Sequence, residues 1–230
     1  MLFALRHPAT LLGLLLGFVI GIGLRALLQR QLAASGRITV LSRRRGLHPV
    51  GRPRAREAWT TYIDPYGAVA FIVAGVGWGA RPPARPGGRG AVGQLLVALG
   101  VHAVLAVVGL AAYNALSGPP VLGHGVQVAD VLHGSVGFWT TGQQIAVGFG
   151  MENLACGLLA LVPIPPLELG VLLWSRLPRT PGARRLAYRL LEEAWGVAVI
   201  LVGLLLPLAG QQPVLLALLN IVGDPLLRLV

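Results

Sequence analysis

A long apolar run ends in Val162-Pro163-Ile164-Pro165-Pro166-Leu167-Glu168-Leu169-Gly170, and this stretch constrains the fold more than any other. A proline inside a helix removes a backbone hydrogen bond and costs about 3 kcal/mol. A carboxylate at the centre of a bilayer costs roughly 2.5–3.5 kcal/mol on insertion scales. Broken backbone at membrane depth is tolerated only where protein or a watery cavity covers it. Three prolines and a carboxylate at the end of one apolar run therefore point to a built site, not to a lipid-facing helix.

Composition makes the membrane the right frame. Of 230 residues, 55% are hydrophobic and 12% are charged, and the mean hydropathy is +0.72. Soluble domains carry about 25% charged residues. The net charge is +11, and all nineteen basic residues are arginine. A basic balance can signal nucleic acid. Here the arginines flank apolar segments, where they act as topology signals, so no nucleic-acid partner is expected. The absence of lysine, with abundant Ala, Gly, Arg and Pro, points to a GC-rich genome and a bacterial source. The single cysteine, Cys156, lies in an apolar run, so it forms no intrachain disulfide and reads as a small buried hydrophobe.

The expected fold is an all-α integral membrane protein, a single membrane domain over 1–230. Its polytopic helical core has spans at 8–28, 92–116, 145–162, 194–209 and 213–227. The first span follows Arg6 without a clean A-x-A-like cleavage site, so it reads as retained. Residues 66–80 form an apolar run too short for a span, with basic residues on both flanks. That pattern predicts a re-entrant hairpin. Gly36-Arg37-Ile38-Thr39-Val40-Leu41 predicts a short cytoplasmic strand. Gly210-Gln211-Gln212-Pro213 splits the last apolar region into two spans or a helical hairpin.

Residues 117–144 contain no arginine or lysine and read as an outer loop, with Phe138 and Trp139 at its membrane edge. The three arginine clusters read as cytoplasmic. This puts the N-terminus outside a multi-pass protein of the inner (plasma) membrane. Trp59, Tyr113 and Trp195 read as interfacial anchors. His124, Asp130 and His133 share the outer loop without ligand spacing, so they read as solvated.

Four patches, in order, resemble the compact bacterial branch of the site-2 protease family, the intramembrane zinc metalloproteases. Ile63-Asp64-Pro65-Tyr66-Gly67 is similar to the family's I-D-P-x-G before a membrane hairpin. Gly77-Trp78-Gly79-Ala80-Arg81-Pro82 is similar to its G-W-A-K-P after the hairpin. Asn153 to Gly170 resembles its N-L-…-L-P-I-P-P-L-D-G-G segment, and Arg25-Ala26-Leu27-Leu28 resembles the tail of its H-E-x-x-H-A-L motif. In that family two histidines one helical turn apart and a distant aspartate hold zinc, and a glutamate polarises the bound water.

The matching positions here read Gly21, Ile22 and Arg25, with Glu168 at the aspartate. Glycine, arginine and one carboxylate do not make a three-ligand zinc site, and arginine sets a fixed positive charge where the metal would lie. The resemblance thus implies a degenerate member lacking HExxH, a pseudoprotease with zinc lost and no catalytic residues. It would bind or regulate a membrane protein partner or transmembrane segment in the lipid bilayer.

The residues expected to bind or to hold structure are Arg25, Glu152, Asn153, Pro163, Pro165, Pro166 and Glu168. An Arg25–Glu168 ion pair in place of zinc is one expectation. The other is an Arg25 that snorkels to the interface and a Glu168 hydrated at a helix end. Glu152 reads either as an intramembrane carboxylate or as a residue near the outer surface. Two rival functions are an active metallopeptidase using Glu168, Glu152 and a distant histidine such as His102, and a small transporter using Glu152 and Glu168 as polar sites at depth.

Overall fold

A computed structural model describes residues 5–34, 62–80, 89–117, 127–134, 139–176, 180–191, 193–209 and 212–227. The expected strand over 36–41, Trp59, Phe138 and His124 lie outside the described residues. The described chain is mostly helical: α1 (Pro8–Ala34), α2 (Pro65–Ala74), α3 (Arg89–Ser117), α4 (Val128–Leu132), α5 (Thr141–Ala160), α6 (Glu168–Arg176), α7 (Pro181–Leu191), α8 (Trp195–Leu205) and α9 (Val214–Leu227). Two short antiparallel strands, β1 (Pro207–Ala209) and β2 (Gln212–Pro213), join α8 to α9.

The core is built on α5, which packs against both α1 and α3. Glycines set the approach to α1. A side chain at Gly13 would collide with the Ile145 backbone, at Gly17 with the Phe149 carbonyl, and at Gly21 with Asn153. Both numbers rise together, so α1 and α5 run parallel. Along α3 the partners descend, with Gly109 against Gly150 and His102 against Gly157, so α3 runs antiparallel to α5. Small residues at these crossings let backbones approach and gain dispersion contact.

The outward faces of this trio are apolar, and its few charged and amide side chains lie inside with the apolar core. Leu12, Leu15, Val19 and Leu27 on α1, and Leu96, Val104, Val107 and Val108 on α3, are exposed. Arg25, Gln29, Gln94, His102, Glu152, Asn153 and Glu168 are buried. Among the described residues, α1 and α3 are the two helices long and apolar enough to cross a membrane. By contrast, α8 has 11 residues and α9 has 14. At 1.5 Å per residue they are about 16 and 21 Å long, well short of the ~30 Å hydrocarbon core.

The run 62–80 forms a closed hairpin. Asp64 caps α2, its Oδ1 accepting from the backbone N–H groups of Tyr66 at 2.9 Å and Gly67 at 3.2 Å, with Pro65 in the first turn. Gly75 ends the helix with φ 85°, a left-handed conformation that favours glycine. The chain then returns extended. Ile63 bridges Gly79, and the Ala80 N–H donates to the Tyr62 carbonyl at 2.7 Å. Gly67 and Gly77 leave room for the two limbs to pack on each other's backbone. Phe71 stacks on Phe18 with ring centroids 4.1 Å apart, which fixes the hairpin to α1.

The segment 127–134 differs from the solvated loop expected there. Val128, Ala129, Val131 and Leu132 of α4 are buried against the core. Asn220 on α9 holds α4 in place: its Oδ1 accepts from the Ala129 N–H at 2.9 Å and its Nδ2 donates to Gln127 Oε1 at 3.1 Å. Asp130 caps this helix by accepting from the Gln127 N–H at 3.3 Å. Burial lowers the pKa of the His133 imidazole at the C-cap. Tyr113, near the end of α3, packs inward. It is buried in the core, with its ring 4.9 Å from Trp139. Trp195 is exposed at the start of α8.

Candidate functional site

The proline segment ends α5 and turns the chain into α6. Leu161 and Val162 close the last turn through i→i−3 bonds to Leu158 and Leu159. Past the break, the Leu167 N–H donates to the Ile164 carbonyl at 3.0 Å. Pro163, Pro165 and Pro166 thus shape a compact turn, and Gly170 packs directly on the Ile164 backbone. The turn delivers Glu168 to the first position of α6, facing α1.

Arg25 Nη1 donates to Glu168 Oε1 at 2.7 Å, and both side chains are buried, at 3% and 4% exposure. The second nitrogen, Nη2, donates to the carbonyls of Gly79 at 3.0 Å and Ala80 at 3.3 Å. One guanidinium therefore ties together α1, the return limb of the hairpin and α6. Neither side chain reaches solvent, so the snorkelling Arg25 and the hydrated Glu168 do not describe the site. A charge-assisted, multiply bonded guanidinium is the form in which a buried ion pair is tolerated.

One turn earlier, Gly21 faces a second polar pair. His102 Nδ1 lies 3.0 Å from Asn153 Oδ1, and Asn153 Nδ2 donates to the Phe149 carbonyl at 3.0 Å and the Gly17 carbonyl at 3.4 Å. A side chain at Gly21 would meet Asn153 Oδ1 at 2.5 Å and the His102 ring at 3.0 Å. Asn153 therefore bonds across to α1 at Gly17 and back to its own helix at Phe149. His102 is not distant. It lines one small cavity, about 10 Å³, together with Ile22, Arg25, Trp78, Cys156 and Glu168. That volume suits about one water molecule. Trp78 Nε1 and Arg25 Nε are buried there without a hydrogen-bond partner among the described residues.

Glu152 lies mid-way along α5 and is fully buried within the protein. Its Oε1 accepts from Cys156 Sγ at 3.2 Å, and the same thiol lies 3.5 Å from the Gly77 carbonyl. Cys156 is buried, as its apolar surroundings predict. The sequence reading missed the roles of His102 and Trp78. The signal for His102 was its place on the apolar α3, where a titratable group needs a polar neighbour.

The donor set does not fit a zinc ion. Of the three ligand positions, Gly21 has no donor and Arg25 is a cation. Glu168 is already bound to that cation. Among the described residues, no group of three or more His, Cys, Asp or Glu side chains is arranged to hold a metal. Comparison of the chain with known protein families, with curated proteins and with solved structures returns no match.

Proposed function

We propose that this chain is a non-catalytic membrane protein on a site-2 protease-like scaffold, in which an ion pair does the joining work of a metal. It would bind or regulate a membrane protein partner. The observation that carries the reading is the buried contact between Arg25 and Glu168. The resemblance aligns these two positions with ligands of one zinc, and they meet across 143 residues of chain. A guanidinium at that point leaves no open coordination position and no activated water. This argues against an active peptidase.

Apolar outer faces support the membrane part of the reading. Apolar side chains sheathe α1 and α3, and the charged and amide groups are turned inward. The alternating directions of α1, α3 and α5 suit three successive crossings. With arginine-rich segments cytoplasmic, the N-terminus and α4 fall on the outer side of the inner membrane.

The test is zinc content and peptidase activity of the purified chain, combined with carbonate extraction of membranes. Retention in the carbonate-washed pellet, with no stoichiometric zinc and a partner that co-purifies through detergent, is the expected result. One tightly held zinc per chain with proteolysis that needs Glu168 would overturn the pseudoprotease reading. Ion or solute flux in proteoliposomes that depends on Glu152 would replace it with transport.

A further inference from the structure

We infer that the corner between α7 and α8 is a headgroup site for an anionic phospholipid. The helix α7 has two faces. Arg185, Tyr188 and Arg189 share one stripe of the helix, and Ala183, Leu186 and Leu190 fall on the other. Arg185 and Arg189 stand one turn apart and are exposed, as is Tyr188. With Glu193 they line an open groove of about 450 Å³. Two guanidinium forks one turn apart match the oxygens of a phosphodiester. The Tyr188 hydroxyl offers another donor, and the Glu193 carboxylate can accept from a headgroup hydroxyl.

The position of the groove argues for a lipid over a soluble anion. The Glu193 N–H donates to the Tyr188 carbonyl at 3.2 Å, so the groove closes directly onto the start of α8. From there α8 presents Trp195, Val199, Val202 and Leu205 outward. Its first turn is seated at Gly196 on the Pro165 and Leu190 carbonyls, which fixes the corner to the proline turn. Leu186 is 48% exposed on the apolar face of α7. An apolar helix wall below, an exposed tryptophan at its rim and paired arginines above make the profile of a bilayer surface at phosphate depth. The arginine cluster 176–189 suits the leaflet that carries anionic lipid.

This site rests on the membrane reading above, and one experiment separates their failures. The full chain is reconstituted in nanodiscs of phosphatidylcholine with and without phosphatidylglycerol. Lipid retained after detergent extraction is measured by mass spectrometry of the intact complex. Wild type should retain phosphatidylglycerol in preference to phosphatidylcholine. Each surface arginine is worth about 5-fold in affinity for anionic lipid, so Arg185→Ala/Arg189→Ala should lower retention by about 25-fold. Arg43→Ala/Arg44→Ala, which removes equal charge elsewhere, should leave retention unchanged. Equal loss from both double variants overturns the site, because net charge alone would then explain binding. So does displacement of the lipid by inorganic phosphate, or a chain embedded in both discs without preference. A chain that fails to embed in either disc overturns the site and the membrane reading together.

Discussion

Arg25 and Glu168 lie 143 residues apart in the chain and 2.7 Å apart in space, with neither side chain open to solvent. A pair so placed cannot lose one member cheaply. Removing one partner of a buried pair typically costs about 3–5 kcal/mol, because the remaining charge is left uncompensated. Arg25→Ala and Glu168→Ala should each sharply reduce folded protein, seen as a lower Tm in detergent and a lower yield. The double variant should lose much less than the sum of the two. Additive losses would show that the pair is not coupled.

Gly21→Ala pushes a methyl group against Asn153 Oδ1 and the His102 ring. Overpacking of this kind costs about 1–3 kcal/mol. The loss should be partly recovered by Asn153→Ala, which makes room, and thermal unfolding of the three variants measures it. A Gly21→Ala protein as stable as wild type would mean that α1 and α5 separate easily.

Rebuilding the family motif should not rebuild a metal site. In Gly21→His/Ile22→Glu/Arg25→His the new histidine at 21 meets Asn153 and His102, and Ile22 gives up a buried position against Gly79. The expected outcome is a poorly folded chain with no stoichiometric zinc by elemental analysis. One bound zinc in a folded protein would contradict it.

Asn220 alone bonds both the Ala129 N–H and Gln127 Oε1. Asn220→Ala leaves a buried donor unpaired at a cost of about 1–3 kcal/mol. Hydrogen exchange over 127–134 should rise more than exchange over α5. Unchanged protection would show that the apolar face of α4 holds the segment by itself.

Cys156 is buried with its thiol directed at Glu152 and Gly77. Maleimide should label it slowly in the folded protein and fast once denaturant opens α5. As the sole cysteine it then reports global unfolding. Rapid labelling of native protein would mean that the cavity beside it opens to solvent.

Much of the helical order was legible because apolar runs bounded by arginine and proline mark their own ends. The Asp64-Pro65 start and the Gly75 stop of α2 are local signals, and the helix has those bounds. The meeting of Arg25 with Glu168 came from ordering motifs against a known family, since no local pattern links the two residues. Three features escaped the reading. The glycines at 13, 17 and 21 repeat every four residues, and that spacing marks a close helix crossing. The burial of Tyr113 against Trp139 joins α3 to a residue 26 positions away, a contact with no local signature. The anchoring of α4 joins Ala129 to Asn220, 91 residues away, and such a long-range bond has no trace in local composition.

The carbonyls of Gly79 and Ala80 have a further consequence. On the edge that faces α1 the return limb offers hydrogen-bond acceptors, and the Arg25 guanidinium takes two of them. Arg25 thus stands where a neighbouring strand would stand. A peptide arriving in extended form could pair with this edge only by evicting a cation that Glu168 holds in place. At Gly79 and Ala80 the hairpin is closed to strand addition from within.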